Sequence, residues 1–391
     1  MKAIIKKENL IFVLLFIPFM LDINFLIPLT NPHGALVRRI LLADSFLILF
    51  YYIKEIKKTS RITKCILTFC ILVFIFTILK GNSLFVSLYY SGILSAFVIL
   101  IDVTMKRDLN FFLSFITKVY GMILIITCFF QFAAPSLFGV AETSGNNYNF
   151  WVSDNEMGYV YIPLVVAIAC KDYMKNRKLT LKTFIFIAIS VISTILAWSG
   201  TCIIGMFIMC LGFVCAVCNI KYFNFKKIFI VAVMIALGIL VFRIQDVFAP
   251  VIVGMLHKDL TFTGRVYAWD MALKMIKKNI FIGYGTINGG RLTIFDVWKN
   301  TEAVSAHSYI LEIILQGGLI GFGAIVYAYI VAGKCLYQNR KTQISIFISI
   351  SLFAMLIMYI TEGWVYHTFQ YIILYLAYYS WKITNNNVIN R

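Results

Sequence analysis

The sequence predicts an all-α polytopic membrane protein: about twelve transmembrane helices in one integral-membrane domain, 1–391, with a large external loop between helices nine and ten. Three observations predict it. The 391-residue chain is 61% hydrophobic and 13% charged, with a mean hydropathy of +0.88, too apolar for a soluble domain. Apolar runs of about 18–22 residues recur, the length that crosses a hydrocarbon core roughly 30 Å thick. Between them, Lys and Arg fall in short clusters such as Lys54/Lys57/Lys58/Arg61/Lys64, Lys171/Lys175/Arg177/Lys178/Lys182 and Lys334/Arg340/Lys341.

These clusters dispose of the net charge of +18 as a sign of nucleic-acid binding. Short basic loops between apolar runs follow the positive-inside rule and belong in the cytoplasm. The expected helices are 10–29, 36–53, 62–79, 84–103, 111–132, 157–169, 183–198, 202–218, 228–245, 307–333, 344–360 and 365–381. The first run is too long for a signal peptide and reads as a retained helix. Both termini then lie in the cytoplasm, and two segments are long and external, 133–156 and 246–306. The nine cysteines fall in or beside the apolar runs, which argues against an external disulfide framework. Cys215 and Cys218 have metal-like spacing without a second pair and read as packing residues.

The smaller external segment has no Lys or Arg. The larger has seven, Lys258, Arg265, Lys274, Lys277, Lys278, Arg291 and Lys299, which a long loop can carry across a membrane. Charges near helices are Asp22, Arg38, Arg39, Asp44 and Arg243; a charge at mid-bilayer costs about 2.5–3.5 kcal/mol on insertion scales and turns inward or to an interface. Arg38 and Arg39 sit at an outer helix end and are candidates for an anionic ligand, with Asp22 and Asp44 as their pairing partners. Lys80, in the turn Lys80-Gly81-Asn82-Ser83, breaks the charge bias of a short loop and is a candidate phosphate contact.

After Thr263, an expected helix N-cap, Val266, Trp269, Leu273 and Ile276 form one face of a helix lying along the outer surface. Asp270 and Lys274 are an i, i+4 pair. Arg265 in its first turn suits phosphate oxygens; Lys274, Lys277 and Lys278 suit lipid headgroups. His307 stands where the loop meets the long helix 307–333. The positive end of a helix dipole favours neutral imidazole, which can accept a proton from a hydroxyl. Ser308, Tyr309 and Glu312 follow it, and Gly317, Gly318 and Gly321 permit close packing with neighbouring helices. HExxH and Gly-rich nucleotide motifs are absent from the sequence. Asp154-Asn155-Glu156 reads as a polar loop end, and His33, His257 and His367 lack ligand-like spacing. No metal and no cofactor are expected.

The order Gly264-Arg265-x-x-x-Trp269, Gly283-x-Gly285, His307-Ser308-x-x-Leu311 and Gly317/Gly318-x-x-Gly321 resembles the O-antigen ligase and polymerase superfamily, integral-membrane glycosyltransferases of bacterial surface polysaccharides. Ser153-Asp154-Asn155-Glu156-Met157-Gly158 and Trp198-Ser199-Gly200-Thr201 look similar too. The resemblance implies an undecaprenyl-pyrophosphate-linked oligosaccharide donor and acceptor, used at the outer face of the bacterial cytoplasmic membrane. Arg265 would hold the pyrophosphate, with Arg291 as a second contact. His307 would act on the acceptor hydroxyl, and Tyr309, Glu312, Lys80, Arg38 and Arg39 are the further substrate-binding candidates. A repeat-unit polymerase is the favoured reading, for O-antigen, capsular or exopolysaccharide; the alternatives are a ligase transferring glycan to lipid A–core and a lipid-linked oligosaccharide flippase. Expected partners are membrane lipids, a chain-length regulator and a flippase.

Overall fold

A computed structural model describes residues 7–20, 34–135, 149–244, 247, 264–286, 294–296, 301–303, 305–363 and 365–385. The chain is helical along nearly all of these. The helices are α1 (Lys7–Met20), α2 (Gly34–Tyr51), α3 (Arg61–Leu79), α4 (Leu84–Ala133), α5 (Met157–Asn176), α6 (Leu181–Leu196), α7 (Gly200–Val217), α8 (Phe225–Leu240) and α9 (Arg265–Lys278). After them come α10 (Tyr309–Gln338), α11 (Gln343–Thr361), α12 (Ile372–Tyr378) and α13 (Ser380–Thr384). Between α9 and α10 a short antiparallel ribbon pairs β1 (Ile294–Asp296) with β2 (Thr301–Ala303). Apart from that ribbon the described elements are helices, as the all-α expectation has it.

Among the described residues six segments are long and apolar enough to cross a bilayer: α3, α4, α5 with the turn before it, α7, α10 and α11. The protein is an integral membrane protein by length and composition. Phe129, Phe132, Phe184, Phe207 and Met234 are exposed on the helix bundle, an apolar surface that only a lipid solvent tolerates on this scale. Inside, α5 is almost wholly buried, packed by α4, α11 and α12.

Helix starts follow local chemistry. Ser60, Thr180, Asn224 and Thr342 each accept a backbone N–H of the following first turn. The two helices expected at 84–103 and 111–132 run together as α4, broken at Asp108 (φ −147°, ψ 81°). Its carboxylate accepts the Phe111 N–H at 2.9 Å, so one residue ends the first half and caps the second. The expected 365–381 helix instead opens with a tight turn at 368–371 before α12.

Two charge expectations are corrected. Asp270 pairs with Arg243 rather than with Lys274. Arg243 lies beyond the end of α8 with φ 55°, which turns it out of the helix and over the Trp269 ring, 5.5 Å from its centroid. Asp44 does not pair with Arg39: among the described residues its buried Oδ2 has no hydrogen-bond partner, and five residues of helix place the two on different faces. Asp22 lies outside the described residues, as does the side chain of Arg38.

The glycines do more than thin a packing face. Gly318 breaks α10 with φ 61° and ψ −169°, and 280–285 threads against the break. Tyr284 N–H donates to Leu315 O at 2.7 Å, Gly285 N–H to Gln316 O at 2.9 Å, and Leu319 N–H to Ile280 O at 2.8 Å. The donors and acceptors freed by the break are thus satisfied by a second backbone, as irregular chain inside a membrane protein requires. Gly317 and Gly321 do pack closely, against the Phe69 ring.

Candidate functional site

The site is assembled where α9 begins, α10 begins and α11 ends. Gly264, in the left-handed region at φ 86°, is the N-cap of α9; Thr263, expected there, lies outside the described residues. The helix buries Ala268, Trp269, Ala272 and Ile276 against Leu311 and Leu315 of α10, Ala236 and Leu240 of α8 and Ile360 of α11. Val266 and Leu273, grouped by spacing on one face with Trp269 and Ile276, are only partly covered. The helix therefore rests on protein, and its packing fixes the direction of Arg265.

Arg265 Nη1 donates to Thr361 O and, at 2.8 Å, to Glu362 Oε1. Glu362 is buried, 3% exposed, and its backbone carbonyl accepts the Tyr309 N–H at 2.7 Å. One residue thus ties the first turn of α9 to the first turn of α10. The guanidinium has five donors in a planar fork, and Nη1 alone supplies both of these bonds, leaving geometry suited to anionic oxygens.

His307 precedes α10 with φ 48° and an exposed side chain. Its backbone N–H donates to Ser305 Oγ at 2.9 Å, and Ser305 Oγ in turn donates to Glu312 Oε1. Glu312 is buried and lines a cavity. Tyr309 is buried as well: its ring stacks on Tyr359 at 4.2 Å and its hydroxyl is 3.3 Å from that of Tyr371.

The two further motif stretches meet this same place. Ser153 and Glu156 form a capping box ahead of α5. Ser199 Oγ lies 3.5 Å from Asn155 Oδ1, Cys202 Sγ reaches Asp154 O, and Thr201 Oγ1 is 3.4 Å from Thr361 Oγ1.

Lys80 is elsewhere. Its Nζ donates to Asn279 Oδ1 at 3.0 Å, just past the far end of α9, so the 14 residues of that helix separate it from Arg265 by about 20 Å. Arg39 is exposed on α2, and Arg291 lies outside the described residues.

Sequence reasoning missed Glu362. It sits in the short break between two apolar runs and reads as a turn. Its signal was available, since it is the only acidic residue after Glu312; a lone carboxylate in such a stretch needs a cation. Burial, the largest influence, pushes the Glu362 carboxyl above the usual carboxylate range, opposed by the Arg265 guanidinium. A carboxyl raised in the folded state favours folding on the acid side, and that contribution is lost as pH rises through its folded value. The thermal midpoint of the purified protein is therefore expected to fall over the mildly acidic range just above the ordinary carboxylate value. Glu362→Gln, which cannot titrate, should lack that fall. Parallel pH profiles for the two proteins would refute it.

Fold and site together define a helical integral membrane protein in which a partly exposed arginine pairs with a buried carboxylate that is tied to the helix start following an exposed histidine. Residues 184–326 match the family model described as O-antigen ligase, just over a third of the chain. The match supports the O-antigen ligase and polymerase superfamily for this protein, and it spans Arg265 and His307 but stops short of Glu362. That family implies a ligase-like or polymerase-like membrane glycosyltransferase acting on lipid-linked oligosaccharide. Neither a curated protein nor a solved structure matches the chain.

Proposed function

We propose that this protein polymerises undecaprenyl-pyrophosphate-linked repeat units into a surface polysaccharide at the outer face of the cytoplasmic membrane. Twelve crossings with both termini in the cytoplasm would put α9 and the start of α10 outside, as the basic clusters argue. The observation that carries the reading is the Arg265–Glu362–Tyr309 linkage, which sets a fixed guanidinium beside the segment bearing His307.

The acceptor sugar hydroxyl attacks the anomeric carbon of the donor, and the bond from that carbon to the pyrophosphate oxygen breaks. The lipid diphosphate leaves with the bonding electrons. Arg265 stabilises the charge gathering on its oxygens. His307 takes the proton from the attacking hydroxyl. Arg291 is a second candidate phosphate contact, and a flippase and a chain-length regulator are the partners such a step needs.

Ligation of finished glycan to lipid A–core is the second reading, favoured by the family description. The modest length of the external segment 246–306 favours polymerisation. The glycan ladder of a deletion strain tests this. Polymerase loss leaves single repeat units on the surface lipid. Long lipid-linked chains that fail to reach lipid A–core would mean a ligase, and repeat units held in the cytoplasmic leaflet a flippase. An unchanged ladder would sink all three.

A further inference from the structure

Next to the Arg265–Glu362 pair lies a cavity of about 230 Å³ walled by segments far apart in sequence. Its walls include Tyr89 and Tyr90 of α4, Glu312 of α10, and Gly363, Tyr366 and His367 from the segment after α11. Glu312 is 3% exposed, yet it is one of the residues that line this space. Gly363 keeps it open: a Cβ there would come within 2.6 Å of Glu312 Oε1 and 2.9 Å of Ser305 Oγ.

The walls are held in place. The Tyr90 and Tyr366 rings are 5.2 Å apart at 42°, and the Tyr366 hydroxyl donates to the buried Gln316 Oε1 at 2.6 Å. His367 packs on the Tyr159 ring at 4.5 Å, with Nε2 3.8 Å from Glu156 Oε1. Such prior fixing lowers the entropy lost when a ligand binds.

The lining selects a ligand class by exclusion. Among the described residues it carries no Lys or Arg, and the Glu312 carboxylate repels phosphate, so the pyrophosphate of the proposed donor is assigned to Arg265 instead. A polyprenyl tail would strand a carboxylate and an imidazole against hydrocarbon. What remains is an uncharged ring rich in hydroxyls, its C–H face on the tyrosines and its hydroxyls donating to Glu312. Pockets for drug-sized ligands measure roughly 300–1,000 Å³, so a cavity of about 230 Å³ suits a single ring.

We infer that the cavity between α4, α10 and the 363–368 segment is a subsite for a single pyranose ring. Tyr90 and Tyr366 form its platform and Glu312 accepts its hydroxyl. The identification of that ring as the acceptor sugar rests on the proposed function; the binding of a sugar does not.

The test is saturation-transfer difference NMR on the full chain in lipid nanodiscs. The probes are the methyl pyranosides of glucose, galactose, rhamnose and N-acetylglucosamine. At least one glycoside should give a saturable signal with the wild type. Glu312→Gln and Tyr90→Ala should weaken it at least tenfold, while Tyr90→Phe, which keeps the ring and serves as the folding control, should retain it. Absence of saturable binding by any glycoside, or equal binding by wild type, Glu312→Gln and Tyr90→Ala, overturns the subsite. Binding in a protein whose deletion leaves the ladder unchanged keeps the subsite and removes the polymerase reading; a collapsed ladder without glycoside binding does the reverse.

Discussion

If the proposed function holds, Arg265→Ala is expected to cut chain extension in a complemented deletion strain at least a hundredfold, while the protein remains in the membrane. The magnitude is that of losing one preorganised donor to a developing oxyanion, about 10²–10³ in rate. His307→Ala should fall within the roughly 10²–10⁴ range for a lost general base. The arginine has a second duty that could mimic this result. Its removal leaves Glu362 buried without its cation, and breaking one side of a buried pair costs about 3–5 kcal/mol. The double variant Arg265→Ala/Glu362→Gln removes both charges and should recover thermal stability. If it also recovers the long-chain ladder, Arg265 holds the fold and not the pyrophosphate. Arg265→Lys keeps the charge without the fork and should extend chains poorly.

Gly318→Ala is expected to lose at least 3 kcal/mol, enough to strip most of the monodisperse protein from a detergent extract. The conformation φ 61°, ψ −169° belongs to a region essentially reserved for glycine. A Cβ there would stand 2.0 Å from Phe281 O, and backbone cannot step aside as a side chain can. Gly283 meets the same crossing from the other strand, its φ at 62° and a Cβ 2.6 Å from Leu315 O. Gly323 is the control in the same helix, since a Cβ there meets nothing within 4 Å. Gly323→Ala should be neutral or slightly stabilising, by up to about 1 kcal/mol. Equal losses for Gly318→Ala and Gly323→Ala on size-exclusion chromatography would refute the interlock.

The helices themselves were legible because apolar length and basic punctuation act locally. The expected gap between 84–103 and 111–132 contains the break at Asp108, whereas the helix expected to end at 169 runs on to Asn176. Arg265 and His307 stood out because polar side chains are rare in such a chain. What spacing misjudged was partnership. Asp270 has Lys274 one turn away and still pairs with Arg243, because tertiary packing of α9 on α8 brings a planar cation nearer than a flexible one. Gly283 and Gly318 each look like packing residues alone; only their crossing makes glycine obligatory.

The sequence by itself determined that the chain is a membrane protein, where its helices run, and which polar segments stand out from them. The tertiary structure alone decided that Arg265 is held by Glu362, that Lys80 stands at the opposite end of α9, and that Glu312 lines a cavity walled by tyrosines. Hydrophobic burial is additive along the chain and can be read residue by residue. The pairing of buried charges and backbone groups depends on which distant segments meet, and in a low-dielectric interior that meeting sets both their cost and their use.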